Sequence, residues 1–260
     1  MGIKVAIHGV FGKMGQMVIS AVEREPNLAL VGGIDMQIPS AFIDTRSGHI
    51  PCGTSLDTIL QETRPDVLVD FSTAQAVIPM VTTAAAHGVH IVSGTTGLSA
   101  SDLQKIDELA HAASIGAVFA ANFALGAVIM MHLAELAAKY FDYAEIIEEH
   151  HEQKLDAPSG TALATAKLMV KARGQGFLEP KHNEQLAPRG QNTDGVFIHS
   201  VRLPGILARQ EVLFGALGQT LSIKHDAISR ECYMPGVIIA LKKVGEFKGL
   251  VSGLDKLLGF

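Results

Sequence analysis

The sequence predicts an α/β protein: a Rossmann-type dinucleotide-binding domain followed by an α+β domain with a mixed sheet. Three observations carry this. The first 125 residues alternate short β-branched runs with helical patterns, the order that builds a parallel sheet. A glycine-spaced turn, Gly9-x-x-Gly12-x-x-Gly15, follows the first run at once. Beyond residue 195 strand patterns follow one another directly, as antiparallel or mixed sheets require.

Residues 3–8 are a β-branched run, and residues 16–24 have helical periodicity until Pro26-Asn27 breaks it. Residues 28–34 form a second apolar run ending at Asp35, which completes a βαβ unit. The Gly-x-x-Gly-x-x-Gly spacing differs from the commoner Gly-x-Gly-x-x-Gly. It does similar work: a tight turn, close approach of a pyrophosphate to backbone N–H groups, and close helix packing. Asp35 stands where a ribose diol is held. Residues 48–53 read as an irregular loop. Strands follow at 67–71, 90–93 and 117–120, with helices at 74–87 and 101–113 between them. Their carboxyl ends, at residues 9–14, 71–73, 94–96 and 121–124, belong along one sheet edge. Next come a helix at 126–140, a strand at 144–149, a helix at 162–172, and strands at 196–203, 211–217 and 220–224, the last two as a hairpin. Residues 174–194, rich in Gly, Pro, Gln and Asn, read as a surface excursion.

Composition narrows the function. The chain has 260 residues, 48% of them apolar, ample for one large core or two smaller ones. Net charge −5 argues against nucleic-acid or anionic-membrane binding. Cys52 and Cys232 are the two cysteines, too few for a disulfide framework, so a reducing cytoplasm is the expected compartment. The opening Met-Gly-Ile-Lys-Val-Ala-Ile runs straight into a strand pattern, without the layout of a signal peptide. The most apolar window, 115–131, contains Asn122 and two glycines and divides into strand, turn and helix rather than a membrane span.

Residues 148–162 read Glu-Glu-His-His-Glu-Gln-Lys-Leu-Asp-Ala-Pro-Ser-Gly-Thr-Ala, a density of reactive side chains with the character of an active site. Pro158 and Gly160 lead into a helix, and the unpaired N–H groups at its start suit a carboxylate or phosphate. His150, His151 and Lys154 add groups that titrate near neutrality and a fixed cation. Glu149, His150 and His151 lack the one-face spacing of a zinc helix, so no metal site is expected. His8 is expected to be a satisfied structural histidine, Asp156 a tie within its loop, His225, Asp226 and Arg230 a surface ion-pair group, and Met130, Met131 and Leu133 core.

Taken together, His150-His151-x-x-Lys154-x-Asp156-Ala-Pro-Ser159-Gly160-Thr161-Ala162, Gly9-x-x-Gly12-x-Met14-Gly15, Gly94-Thr95-Thr96-Gly97, Ala121-Asn122-Phe123 and His225-x-x-x-x-Arg230 resemble the dihydrodipicolinate reductase family. That family, also called 4-hydroxy-tetrahydrodipicolinate reductase, serves bacterial lysine and diaminopimelate biosynthesis. The resemblance spans nearly the whole chain. It implies an NADH- or NADPH-binding domain at 1–125 with 231–260, a substrate and tetramerisation domain at 126–230, a small cyclic dicarboxylate substrate, and a homotetramer. By position it assigns His150 as proton donor, Lys154 as the second catalytic residue, and His151, Gly160 and Thr161 as substrate contacts; the dicarboxylate it implies needs two anion sites, and the candidates are Ser159-Gly160-Thr161 with Lys154, and the hydroxyls and N–H groups of Thr95-Thr96. It assigns Gly9, Val10, Phe11, Gly12, Lys13, Met14, Asp35, Gly94, Thr95, Thr96, Ala121, Asn122, Phe123 and Ala124 to the cofactor. Ala74, where many members have proline, and Arg209-Gln210, in place of a histidine-containing stretch, depart from the pattern. The rivals are another nicotinamide-dependent amino-acid dehydrogenase, which lacks the 150–162 segment, and a non-catalytic dinucleotide sensor, which has no need of His150 or Lys154.

Overall fold

In the computed structural model, which describes residues 2–46, 48–180 and 187–260, the first apolar run forms β1 (Ile3–His8). Val5, Ala6 and Ile7 are fully buried, as the middle of a sheet covered on both faces demands. α1 (Lys13–Arg24) starts three residues before its apolar period does. Gly15 hides that first turn from a propensity reading. It is glycine because a Cβ there would lie 2.2 Å from the Gly9 carbonyl oxygen.

The chain continues through β2 (Leu28–Ile34), β3 (Phe42–Thr45), β4 (Gly48–Gly53), α2 (Leu56–Thr63), β5 (Val67–Asp70), α3 (Ala74–Ala86), β6 (His90–Ser93), α4 (Ala100–Ala112) and β7 (Gly116–Phe119). Side-chain caps fix two helix starts: Ser55 accepts the Thr58 N–H, and Ser99 forms a reciprocal capping box with Asp102. Then follow α5 (Leu125–Ala138), β8 (Tyr143–His150), α6 (Gly160–Arg173), β9 (Gln191–Thr193), β10 (Val196–Arg202), β11 (Ala208–Ala216), β12 (Gln219–Ala227), α7 (Met234–Lys243), β13 (Gly249–Ser252) and α8 (Leu254–Leu258). No helix of the described residues is long and apolar enough to cross a membrane.

The chain divides into two compact units, Met1–Phe123 with Tyr233–Phe260, and Ala124–Cys232. The first holds an eight-stranded sheet in the order β13-β7-β6-β5-β1-β2-β4-β3, parallel except for the β3–β4 hairpin. Chain order reverses at β1 and β5, so the crevice beyond their carboxyl ends is the natural ligand position in this unit. The second holds a five-stranded mixed sheet, β12-β11-β8-β10-β9, in which β8 and β10 run parallel and the other neighbours antiparallel. Its core joins Ile146, Ile198, Val212 and Phe214 of the sheet to Ala134 and Ala138 of α5 and Ala162, Ala166 and Met169 of α6.

The structure corrects several expectations. Residues 48–53 are not a loop: they form β4, paired in parallel with β2 and antiparallel with β3. Pro51 and two flanking glycines hide that strand, whose inward side chains are only Ile50 and Cys52. Part of the 174–194 excursion is built into the second unit, with Phe177 buried in its core and β9 paired to β10; residues 181–186 of it lie outside the described residues. Asp226 pairs with Arg209 and Lys224 rather than Arg230. Met130 is buried as expected, whereas Leu133 is 45% exposed, because the core-facing stripe of α5 runs through Ala127, Met130, Ala134 and Ala138.

Candidate active site

In the first unit the glycine turn shapes the carboxyl end of β1. Gly9 takes φ +82°, a left-handed conformation that other residues adopt only under strain, and the Gly12 N–H closes the turn on the Gly9 carbonyl at 3.1 Å. A Cβ at Gly9 would stand 2.9 Å from the Phe71 carbonyl oxygen and one at Gly94 2.1 Å from the Phe71 ring, so three strand ends meet closely. Gly12 caps α1 without a side-chain bond, leaving the N–H groups of Lys13 and Met14 without intrahelical acceptors. Asp35 accepts the Phe11 N–H at 2.9 Å and the Met36 N–H at 2.8 Å, and a carboxylate keeps further lone pairs for a diol. Open helix N–H groups, a turn kept free of Cβ atoms and a partly exposed carboxylate at the end of β2 fit a dinucleotide.

A buried network lies directly beneath. Asp70, fully buried at the end of β5, accepts from the Ser72 N–H at 3.2 Å, from the Ser93 hydroxyl at 2.7 Å and from the Thr95 hydroxyl at 2.8 Å, and pairs with His8 Nδ1 at 2.8 Å. Burial pushes its carboxyl up, but the hydrogen bonds from His8, Ser72 and Ser93 outweigh that and hold it below the usual carboxylate range. His8 is thus a paired structural histidine. The Thr95 hydroxyl is spent on Asp70 and its N–H on the Ser93 hydroxyl oxygen, at 3.2 Å, so neither is an open anion donor. Thr96, beside it, is exposed. Ala121 and Asn122 are partly or fully exposed after β7, whereas Phe123 is buried edge-on to Phe71, their ring centroids 6.2 Å apart.

In the second unit β8 ends at His150, and His151 opens the loop that follows, so the two do not alternate along one strand. His150 lies on the β8 side shared by Ala144, Ile146 and Glu148. Its Nδ1 is 2.6 Å from Oε2 of Glu148, which is fully buried. Arg202 of β10 donates to both Glu148 oxygens, at 3.1 and 2.9 Å, and the Ser159 N–H donates to Oε1 at 3.1 Å. Burial opposes the charge on Glu148, yet hydrogen bonds from His150, Arg202 and Ser200 bring its pKa down to about 2. The remaining Arg202 donors reach the carbonyls of Lys154, Val201 and Asp156, which fastens the loop to the sheet.

That loop delivers Lys154 and the start of α6. Lys154 Nζ is 2.7 Å from Asp156 Oδ1, and this hydrogen bond holds the Asp156 carboxyl below its usual range. Ser159 caps α6 by accepting the Ala162 N–H at 3.2 Å. The first-turn N–H groups of Gly160 and Thr161 have no intrahelical acceptor, and a Cβ at Gly160 would meet nothing within 4 Å. Open donors at a helix start therefore sit in one loop with an ammonium group and follow a strand that ends in an imidazole. Among the predicted residues, His150, Lys154, Ser159, Gly160 and Thr161 belong to this loop and its flanks. His225 does a different job, its ring packed against Gly126, where a Cβ would come within 2.5 Å. Sequence reasoning missed Glu148, Arg202 and Asp70. The signal was present for two: Glu148 takes an inward position in the alternation of β8, and Asp70 ends a fully buried run.

A dinucleotide-type parallel sheet joined in one chain to a mixed-sheet unit with its own titratable loop defines a two-domain nicotinamide-dependent oxidoreductase. Comparison with known proteins makes the class specific. Residues 3–123 match the family model described as "Dihydrodipicolinate reductase, N-terminus" and residues 126–258 the one described as "Dihydrodipicolinate reductase, C-terminus". The chain belongs to the dihydrodipicolinate reductase family. A 4-hydroxy-tetrahydrodipicolinate reductase of Dehalococcoides mccartyi is 52% identical over 258 residues, covering 98% of each chain. The enzyme of that name from Moorella thermoacetica is 45% identical over 264 residues, covering 99% of this chain and 98% of its own. The solved structure of dipicolinate-bound dihydrodipicolinate reductase from Paenisporosarcina sp. TG-14 superposes with a TM-score of 0.88 at 40% identity, covering 98% of this chain and 99% of that one.

Proposed function

We propose that the chain reduces 4-hydroxy-tetrahydrodipicolinate, whose 4-hydroxyl leaves as water to give the conjugated ring, to tetrahydrodipicolinate by hydride from NADH or NADPH and one proton, in lysine and diaminopimelate biosynthesis. The observation that carries this reading is the second-unit loop, where His150, Lys154 and the open N–H groups of Gly160 and Thr161 follow one another along residues 150–161. Oriented N–H donors with an ammonium group suit a ring carboxylate. Dipicolinate, the ligand named for the Paenisporosarcina reductase, is a planar dicarboxylate of that kind.

The first unit's residues are assigned to the cofactor. Gly9, Val10 and Gly12 form the turn that lets the pyrophosphate approach, Lys13 and Met14 offer it their open N–H groups, and Phe11 and Asp35 are tied to one another at the ribose position. Gly94, Thr95, Thr96, Ala121, Asn122, Phe123 and Ala124 complete the lining by family position, Thr95 through its backbone alone. A nicotinamide held by these residues would supply the hydride. His150 then delivers a proton to the charge that hydride addition leaves on the conjugated ring, a step that contributes on the order of 10²–10⁴ in rate. Lys154 and the α6 start hold the ring throughout, with His151 as a further substrate contact.

Two finer points go with this reading. The mixed sheet has α5 and α6 on one face, while the other carries Ile147, Leu213 and Val201 among paired charges such as Arg209–Glu149. That mixture supports a homotetramer assembled through these sheets. The two free cysteines suit a reducing cytoplasm. The test is kinetic. His150→Ala should cut kcat strongly and move KM little, whereas Lys154→Ala should damage both. Near-wild-type kcat for His150→Ala from pH 6 to 9 removes His150 from the proton-donor role.

A further inference from the structure

The side of β8 that faces the core runs Ala144, Ile146, Glu148, so the alternation sets a carboxylate where packing alone calls for an aliphatic residue. Burying that charge is costly unless every oxygen is satisfied. Here it is: Oε1 accepts from the Ser159 N–H and Arg202 Nη2, and Oε2 from Arg202 Nη1. Ser200 adds a further hydrogen bond to the carboxylate, and Oε2 also meets His150 Nδ1, at 2.6 Å. An ionised carboxylate only accepts, so the proton of this bond sits on Nδ1.

We infer that Glu148 is a positioning residue that locks His150 in the Nδ1–H tautomer, leaving Nε2 as the ring atom that takes up and delivers the proton. The inference deepens the reading of His150 as proton donor and rests on it. Arg202 is the anchor of the arrangement. It neutralises the buried carboxylate, and through the carbonyls of Lys154 and Asp156 it fastens the Lys154 loop to the same point. The Ser159 N–H ties the start of α6 there as well. The acid, the ammonium group and the anion-binding helix start are thereby indexed to one buried carboxylate. The charged and titratable groups around His150 are Glu148 on its own strand, Arg202 across on β10, and His151, Lys154 and Asp156 in the loop. Its partner on β11 is the uncharged Ala208. Glu149 projects to the opposite face, where it pairs with Arg209.

The test is nitrogen NMR of the full-length chain with ¹⁵N-labelled histidine, recorded above the titration range, with the His150 signals assigned by their loss in His150→Asn. The wild type should show a protonated Nδ1 and a bare Nε2. Glu148→Gln, which presents an amide N–H to Nδ1, should shift His150 toward the Nε2–H tautomer and lower kcat by about 10²-fold or more with little change in KM, as expected when a proton-transfer group is held in the wrong tautomer. Glu148→Asp keeps an acceptor and should retain the Nδ1–H tautomer with part of the activity. A wild-type His150 in the Nε2–H form, or an unchanged tautomer in folded Glu148→Gln, overturns the inference. If Glu148→Gln does not fold, the wild-type spectrum and Glu148→Asp decide. The two readings fail separately. Full kcat in His150→Ala sinks the proton-donor role whatever the tautomer, whereas loss of kcat there with no tautomer response at Glu148 sinks only the positioning role.

Discussion

Replacing Asp70 with alanine removes the acceptor on which the ends of β1, β5 and β6 converge. Four donors lose their partner at once: His8 Nδ1, the Ser72 N–H and the hydroxyls of Ser93 and Thr95. Hydrogen bonds to a charged group contribute about 1.5–3 kcal/mol each, but such values do not add within one network. The two hydroxyls can rotate toward other acceptors, and the cost of burying the carboxylate disappears with it. Removing one partner of a buried charged cluster costs about 3–5 kcal/mol, and that is the loss expected in urea unfolding of the first unit. The pH dependence has a definite sign. The folded carboxyl lies below its unfolded value of about 3.9, so its contribution is complete above that pH and fades as pH falls through the folded value. The gap between wild type and Asp70→Ala should therefore be flat from neutrality to about pH 5 and narrow below it. NADH affinity, read by fluorescence, should fall as well, because the Gly9 and Thr95 loops lose their common tether. A loss below about 1 kcal/mol at neutral pH would show that the network merely fills space.

Further expectations concern the ligands. NADH should serve at least as well as NADPH, because the Asp35 carboxylate at the end of β2 is free to accept from a ribose diol while a 2′-phosphate there would meet like charge; an NADPH kcat/KM more than about tenfold higher would contradict this. Pyridine-2,6-dicarboxylate should compete with substrate, and Thr161→Pro, which deletes a first-turn N–H of α6, should weaken that inhibition. Unchanged inhibition in a folded Thr161→Pro variant would place the carboxylate elsewhere.

The parallel sheet was legible because the middle of β1 and nearly all of β5, β6 and β7 are buried on both faces, and continuous apolar runs announce that state; β2 is apolar throughout although Ala29 is exposed. β4 was illegible for the opposite reason: with Pro51 inside and glycine at both ends, its pairing depends on β2 and β3 rather than on its own pattern. α2 offered eight residues with two buried apolar side chains, Ile59 and Leu60, too little for a period. At the site, reactive side chains could be read from residues 148–162, but their order of dependence could not. Within the acidic run Glu148 and Glu149 look alike. Strand register separates them, sending Glu148 inward to His150 and Arg202 and Glu149 outward to Arg209. The Thr95 hydroxyl likewise looked available until the fold placed Asp70 beneath it.

The central claim is that this chain performs a nicotinamide-dependent reduction with proton delivery from its second unit. The most direct test mixes the purified full-length chain with 4-hydroxy-tetrahydrodipicolinate generated in place by its synthase, and follows the absorbance of NADH and, separately, NADPH. Substrate-dependent oxidation of the reduced cofactor is expected, one per ring reduced, and it should be abolished when His150→Ala and Lys154→Ala are combined. A folded wild-type chain that binds NADH yet oxidises neither cofactor when the substrate is present would contradict the account.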